Sequence, residues 1–142
     1  MKFFIASPWR NKNAVRSLTD ALAASGHTAY SLLDNGANLA TGTSVMEELK
    51  QFSTSMVNWE DNPVIARIFE SEMQAMRDCD AVILLEPAGH SSLAEAGIAY
   101  GMGKEIILVG LVEHPEVVYH MCEHRYPNVE AFLEDLTNPV AK

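Results

Sequence analysis

The sequence predicts an α/β fold, with five parallel strands in one sheet and helices on both faces. Three observations predict it. Short apolar runs of strand length alternate with longer segments whose apolar residues recur at helical spacing. The run at 81–85 is apolar throughout, as a strand buried on both faces is. Turn-forming residues separate the segments, among them Gly26, Asn35-Gly36, Pro87-Ala88-Gly89, Gly101 and Gly103.

The elements follow in order. Residues 2–7 read as a buried strand. Asn13 caps a helix that runs to about Ala24 and is closed by Gly26, where a left-handed cap is wanted. A second strand covers 28–33. Residues 34–43, with their asparagines and glycines, read as a loop, and a polar helix covers about 44–55. Asn62-Pro63 is a helix start, an N-cap followed by proline in the first turn, and that helix runs to about Asp78. Residues 81–85 form a buried strand ended by Pro87-Ala88-Gly89. Ser91 or Ser92 opens the next helix, which stops at Gly101 or Gly103. Residues 105–111 form a further strand, and a short fifth strand lies between about 117 and 126. Residues 128–136 form the last helix. In such sheets ligands bind at the carboxyl ends of the strands. That singles out the loops at 7–11 and 86–91 and the segment after Leu111.

Bulk properties exclude several classes of function. The chain has 142 residues, suited to one domain over 1–142 with one core. It is 48% hydrophobic and 20% charged, an ordinary globular profile. No apolar run approaches a membrane span. The apolar start is broken too early by Pro8, Trp9 and Arg10 for a signal peptide, so a cytoplasmic protein is expected. Ten Lys and Arg against nineteen acids give a net charge of −9. That argues against a nucleic-acid polymer or an anionic membrane as partner. Cys79 and Cys122 match neither a metal pair nor a disulfide framework.

Two carboxylates stand where the apolar pattern expects none. Projected at about 100° per residue, the helix from Pro63 carries Ile65, Ile68, Phe69, Met76 and Cys79 on one stripe, and Glu72 near its middle. A buried carboxylate needs a partner or a purpose. Two readings are open: Glu72 pairs with a basic residue, or the stripe overhangs a cleft and Glu72 faces a ligand. The helix at 91–101 is apolar or small on every side, and Glu95 is its one charged residue. Two readings are open here also. Ser92-x-x-Glu95 has the form of a capping box, in which Glu95 bonds back to the backbone of Ser92. Alternatively Glu95, kept ionised by the helix N-terminus, is a nucleophile at an acetal-like carbon. The amides of residues 90–93 then form an anion site.

These residues carry a family resemblance. Asp80-Ala81-Val82-Ile83-Leu84-Leu85, then Ser92-x-x-Glu95-x-Gly97-x-Ala99, then Gly103-Lys104, resembles the nucleoside 2-deoxyribosyltransferase superfamily. That group includes the 2′-deoxynucleoside 5′-phosphate N-hydrolases. Phe3-Phe4-Ile5-Ala6-Ser7-Pro8-Trp9 resembles its first strand and base-contacting loop. The resemblance implies a flavodoxin-like fold and cleavage or transfer of the N-glycosidic bond of a nucleoside or nucleoside 5′-monophosphate. It implies Glu95 as the nucleophile attacking C1′ and Glu72 as its catalytic partner. It implies substrate contacts from Ser7, Trp9 and the loop Gly89, His90, Ser91 and Ser92, with no cofactor and no metal. It also implies a homodimer or higher oligomer. Arg10, in the loop after the first strand, suits a 5′-phosphate. Two positions depart from the family pattern. Phe4 stands where a tyrosine hydroxyl usually assists the nucleophile, and Glu72 stands where an aspartate is usual. A TIR-like NAD glycohydrolase and a non-catalytic nucleotide-binding module are the alternative functions.

Other features carry less. His114, His120, Cys122 and His124 cluster in sequence, but their spacing matches no metal site and they read as surface histidines. Gly101-x-Gly103 follows a helix, so it is a helix stop and not a dinucleotide fingerprint. Trp9 divides evenly between base contact and core packing. Trp59 is a core candidate, and the methionines read as core filler.

Overall fold

The computed structural model describes residues 1–34 and 59–139. Its five strands are β1 (Lys2–Ala6), β2 (Thr28–Ser31), β3 (Ala81–Leu85), β4 (Glu105–Val109) and β5 (His124–Tyr126). Four α-helices accompany them: α1 (Lys12–Ala24), α2 (Pro63–Asp78), α3 (His90–Gly101) and α4 (Val129–Thr137). The strands pair in the order β2-β1-β3-β4-β5, and every pairing is parallel. The expected flavodoxin-like α/β architecture is therefore present. The expected loop after Asp34 and the polar helix at 44–55 lie outside the described residues.

Alternation along the strands builds two cores. Phe4 and Ala6 of β1, with Val82 and Leu84 of β3, meet Met73 and Met76 of α2 and Ala96 and Ala99 of α3 on one face. Phe3, Ile5, Ile83 and Leu85 meet Val15, Leu18 and Leu22 of α1 and Phe132 of α4 on the other. The central strand β3 is buried throughout, which explains why its sequence is apolar at every position rather than at alternate ones.

Local chemistry sets the helix ends. The Asn62 side chain accepts the amides of Val64 at 2.9 Å and Ile65 at 3.4 Å, satisfying donors that the first turn leaves unpaired. Asn128 does the same for α4 through the amide of Ala131 at 2.8 Å. At the other end of α2, the ammonium of Lys104 donates to the carbonyls of Arg77 and Cys79, both at 2.7 Å. A cation there complements the negative end of the helix. Gly26 and Gly103 hold φ of 81° and 79°, the left-handed stops expected after α1 and α3.

Several expectations are corrected. Helix α1 begins at Lys12 behind Asn11, not behind Asn13. The Asn11 side chain makes no cap; it donates instead to the Ser7 hydroxyl at 2.9 Å and the Glu86 carbonyl at 3.0 Å. Phe69 is 51% exposed, because the buried side of α2 is centred on Met73 and Met76. Trp59 is also exposed rather than in the core. No helix among the described residues is long and apolar enough to cross a membrane.

Candidate active site

In this strand order the chain adds strands outward on one side of β1 and then on the other, so the winding reverses between β1 and β3, and the crevice beyond their carboxyl ends is where ligands bind in such folds. Side chains tie the two strand ends together. The Ser7 hydroxyl donates to the Leu85 carbonyl at 3.0 Å and accepts from Asn11. Ser7 is buried, so its hydroxyl braces the crevice floor. Trp9 and Arg10 follow in a 3₁₀ turn, Trp9–Asn11. Trp9 is half-buried, with the Lys12 ammonium 5.1 Å from its ring centroid. Arg10 is exposed and donates to the Ala88 carbonyl at 3.1 Å.

Helix α3 starts earlier than its sequence suggests, and this changes the reading of Glu95. Gly89 is the N-cap and His90 the first helical residue. Ser92 is therefore inside the first turn. Its hydroxyl accepts the Gly89 amide at 2.7 Å and donates to the Gly89 carbonyl at 3.0 Å. Those bonds hold the turn closed from within, so the expected box between Ser92 and Glu95 does not form. Glu95 lies six residues past the cap, beyond the first turn where a helix N-terminus favours negative charge. Burial dominates instead and pushes its carboxyl up to about 8, with repulsion from Glu72 adding to the rise. The expectation that Glu95 stays ionised at neutral pH is thereby corrected.

Glu72 projects from α2 toward the same place. It is half-buried, and burial pushes its carboxyl up to about 7. The two glutamates feel each other across the gap between α2 and α3. Neither has a hydrogen-bond or ion-pair partner among the described residues. The pairing of Glu72 with a lysine or arginine is thus not made there. Phe4 is fully buried in the core that α2 and α3 cover, with the ring of Tyr30 stacked on it at 5.5 Å.

A cavity of about 340 Å³ opens at the start of α3, between Arg10, Gly89 and His90 on one side and His114 and Tyr119 on the other. Glu72 and Glu95 are not in its lining. The structure therefore divides the sequence-derived residues. Glu72 and Glu95 meet on the α2 side of α3, and Arg10, Gly89 and His90 gather at its start. Ser7 and Ser92 are buried in the scaffold between, and Ser91 is exposed on the first turn.

Glu86 went unrecognised in the sequence. It directly follows β3, and its carboxylate accepts the Tyr119 hydroxyl at 2.8 Å and the Ala88 amide at 2.9 Å. Burial and that hydrogen bond push the Tyr119 phenol up to about 12. The available signal was a carboxylate directly after an all-apolar strand. Gly110, with φ of 111°, makes room for it: a β-carbon there would stand 2.7 Å from the Glu86 β-carbon.

The histidine cluster does not converge. His120 lies in the 3₁₀ turn Val117–Met121, Cys122 is buried, and His124 on β5 pairs with Glu105 at 3.3 Å. No group of three or more His, Cys, Asp or Glu side chains among the described residues is arranged to hold a metal ion.

Comparison with known proteins agrees on the fold. A 2-deoxyribosyltransferase from Bacillus psychrosaccharolyticus superposes with a TM-score of 0.66 at 16% identity, over 99% of this chain and 93% of that one. The CMP N-glycosidase BcmB of Clostridium botulinum superposes with a TM-score of 0.58 at 18% identity, over 96% of this chain and 98% of that one. No family model and no curated protein sequence matches the chain.

Proposed function

We propose that the protein cleaves or transfers the N-glycosidic bond of a nucleoside or nucleoside 5′-monophosphate, with Glu95 as nucleophile and Glu72 as proton donor and acceptor. The observation that carries this reading is the pair itself. Two half-buried carboxyls from adjacent helices are coupled to each other, held above their ordinary range and matched by no cation among the described residues. A fold does not need such a pair, because burying carboxyls without a partner costs stability. A glycosyl-transfer site does need one, with one group ionised and the other protonated. The likeness of fold to a deoxyribosyltransferase and to a CMP N-glycosidase supports the same chemistry.

In the productive state the pair shares one proton; it rests more on Glu95, whose carboxyl is held higher, and the reactive form is the minor one in which it has moved to Glu72. A Glu95 carboxylate oxygen attacks C1′ as the bond from C1′ to the base nitrogen breaks. Glu72 gives its proton to the departing nitrogen. Water or a second base then attacks C1′, the ester to Glu95 breaks, and the proton of the attacking group passes to Glu72. Trp9 contacts the base. Arg10, with Gly89, His90 and Ser91 at the start of α3, receives the 5′ end of the sugar, and Ser7 and Ser92 hold those loops in place.

The test is release of free base from a panel of deoxynucleosides, ribonucleosides and their monophosphates, with NAD included. Base release from one of these, reduced at least about 10³-fold in Glu95→Ala, is the expected result. Equal release by the variant, or none from any substrate, overturns the catalytic reading. NAD consumption alone identifies a glycohydrolase of the TIR-like kind. Nucleotide binding without turnover identifies a binding module, the outcome that Phe4 favours by offering no hydroxyl.

A further inference from the structure

Helix α2 runs antiparallel to the strands. It ends at Asp78, just before β3 begins at Ala81, so its last turn lies at the amino edge of the sheet and its first turn at the carboxyl edge. At about 100° per residue, Phe69, Met73 and Met76 fall within about 60° of one another on its surface. Exposure rises along that stripe toward the crevice: Met76 is 0%, Met73 7% and Phe69 51% exposed. Length explains the gradient. Phe69 precedes Asp78 by nine residues, about 13 Å along a helix at about 1.5 Å per residue. A five-residue strand such as β3 spans about 13 Å between its first and last α-carbons. Helical side chains also tilt toward the helix N-terminus. The Phe69 ring therefore clears the strand ends and stands over the crevice.

Two further observations single this ring out. Phe69 and Glu72 are three residues apart on one helix, which sets their β-carbons about 5–6 Å apart, with Phe69 on the crevice side. The ring also makes no aromatic contact among the described residues, whereas Phe3, Phe4 and Phe132 each pack against another ring. A free aromatic face beside a carboxyl suits a flat heteroaromatic ring, because every base offers a π-face for stacking.

We infer that Phe69 is the platform on which the departing base lies, and so a specificity residue for base size. The inference rests on the N-glycosidic reading above. In that reading Glu72 protonates the leaving nitrogen, which therefore sits within hydrogen-bond reach of its carboxyl. The base is rigid and flat, and the apolar surface next to Glu72 toward the crevice is the Phe69 ring. Trp9 comes to the base from the loop after β1, and Phe69 comes to it from α2. A purine, with two fused rings, covers more of the platform than a pyrimidine does. Stacking is made in the bound substrate and kept while the glycosidic bond breaks, so it contributes to binding rather than to the chemical step. Phe69 sets which bases are held, and the two carboxyls act on the bond.

Steady-state base release from purine and pyrimidine substrates tests this in Phe69→Ala, Phe69→Leu and Phe69→Tyr. Phe69→Ala is expected to raise KM for a purine substrate at least about tenfold, with kcat and the pH profile little changed. The rise for a pyrimidine substrate is expected to be smaller. Phe69→Tyr restores the wild-type KM and Phe69→Leu does not, because leucine replaces the apolar volume without the ring face. Unchanged KM in Phe69→Ala, full rescue by leucine, or an equal loss for both base sizes overturns the inference. The position is exposed, so the variants are expected to keep the far-ultraviolet circular dichroism of the wild type. Phe69→Leu against Phe69→Tyr supplies the comparison if Phe69→Ala folds poorly. Equilibrium dialysis with adenine reads the platform without turnover. A wild type that releases no base sinks the catalytic reading alone. Adenine bound at least about tenfold more weakly by Phe69→Ala then supports the platform, and equal or absent binding overturns it.

Discussion

Whether Glu72 and Glu95 carry a proton is the question on which the residue-scale chemistry turns. Interacting carboxyls titrate as a pair, in two steps that belong to neither alone. With the groups held near 7 and 8, both are protonated well below 7 and both ionised well above 8. The nucleophile is missing on the acid side and the proton donor on the alkaline side. Base release is therefore expected to follow a bell with its maximum between about 7 and 8. In Glu72→Gln the donor is gone and the repulsion on Glu95 with it. The profile should then lose its alkaline limb and its acid limb should move to lower pH, with the rate down by about 10²-fold or more. An unchanged bell would remove Glu72 from the mechanism. Glu72 was legible in the sequence because it interrupts an apolar stripe. The state of Glu95 was not, because it depends on where α3 begins. That start is set by the two bonds between Ser92 and Gly89, and Gly89 has no side chain to announce a cap.

At the scale of elements, strong local chemistry was readable and weak local chemistry was not. Asn62-Pro63 marks the start of α2, and its cap bonds are present. Asn62→Ala should cost about 1 kcal/mol in urea unfolding without changing its m-value, through loss of the cap. An unchanged midpoint would mean that the amides of Val64 and Ile65 find other partners. Helices α1 and α2 were placed to within about two residues because their apolar periodicity runs for three turns or more. Strand β5 was located only to within ten residues. It has three residues, none fully buried, and two of its side chains are engaged by Glu105 and by Asp135 at 3.3 and 2.5 Å. Phe69 and Trp59 were misplaced for another reason. An apolar residue reports a tendency to be buried, and whether a neighbour covers it is decided by distant parts of the chain.

For the molecule as a whole, the carboxyl pair opposes stability at the pH where it works. Both groups hold a proton more tightly folded than at the ordinary value of 4.5. Between about 4.5 and 8 the folded chain thus binds more protons than the unfolded one, and the unfolding free energy contributed by the pair falls as pH rises through that window. Glu95→Gln keeps the shape of the protonated side chain and cannot ionise. It should raise stability at pH 8 by on the order of 2 kcal/mol and change it little at pH 5. Thermal unfolding at the two pH values reads this, and equal shifts at both would show that charge is not the cause. The architecture itself was legible because alternating apolar runs and helices permit few arrangements. The separation of the Arg10 cavity from the carboxyl pair was not, since it depends on which flank of α3 each side chain takes.

Lys104 acts as a rivet at that scale. It follows the helix that bears Glu95, and its ammonium grips the last carbonyls of the helix that bears Glu72. The two helices are fastened at the ends remote from the crevice, like the blades of a pair of shears. The spacing of the two carboxyls then follows from the angle at which the blades stand, measured from the point where Lys104 fixes them.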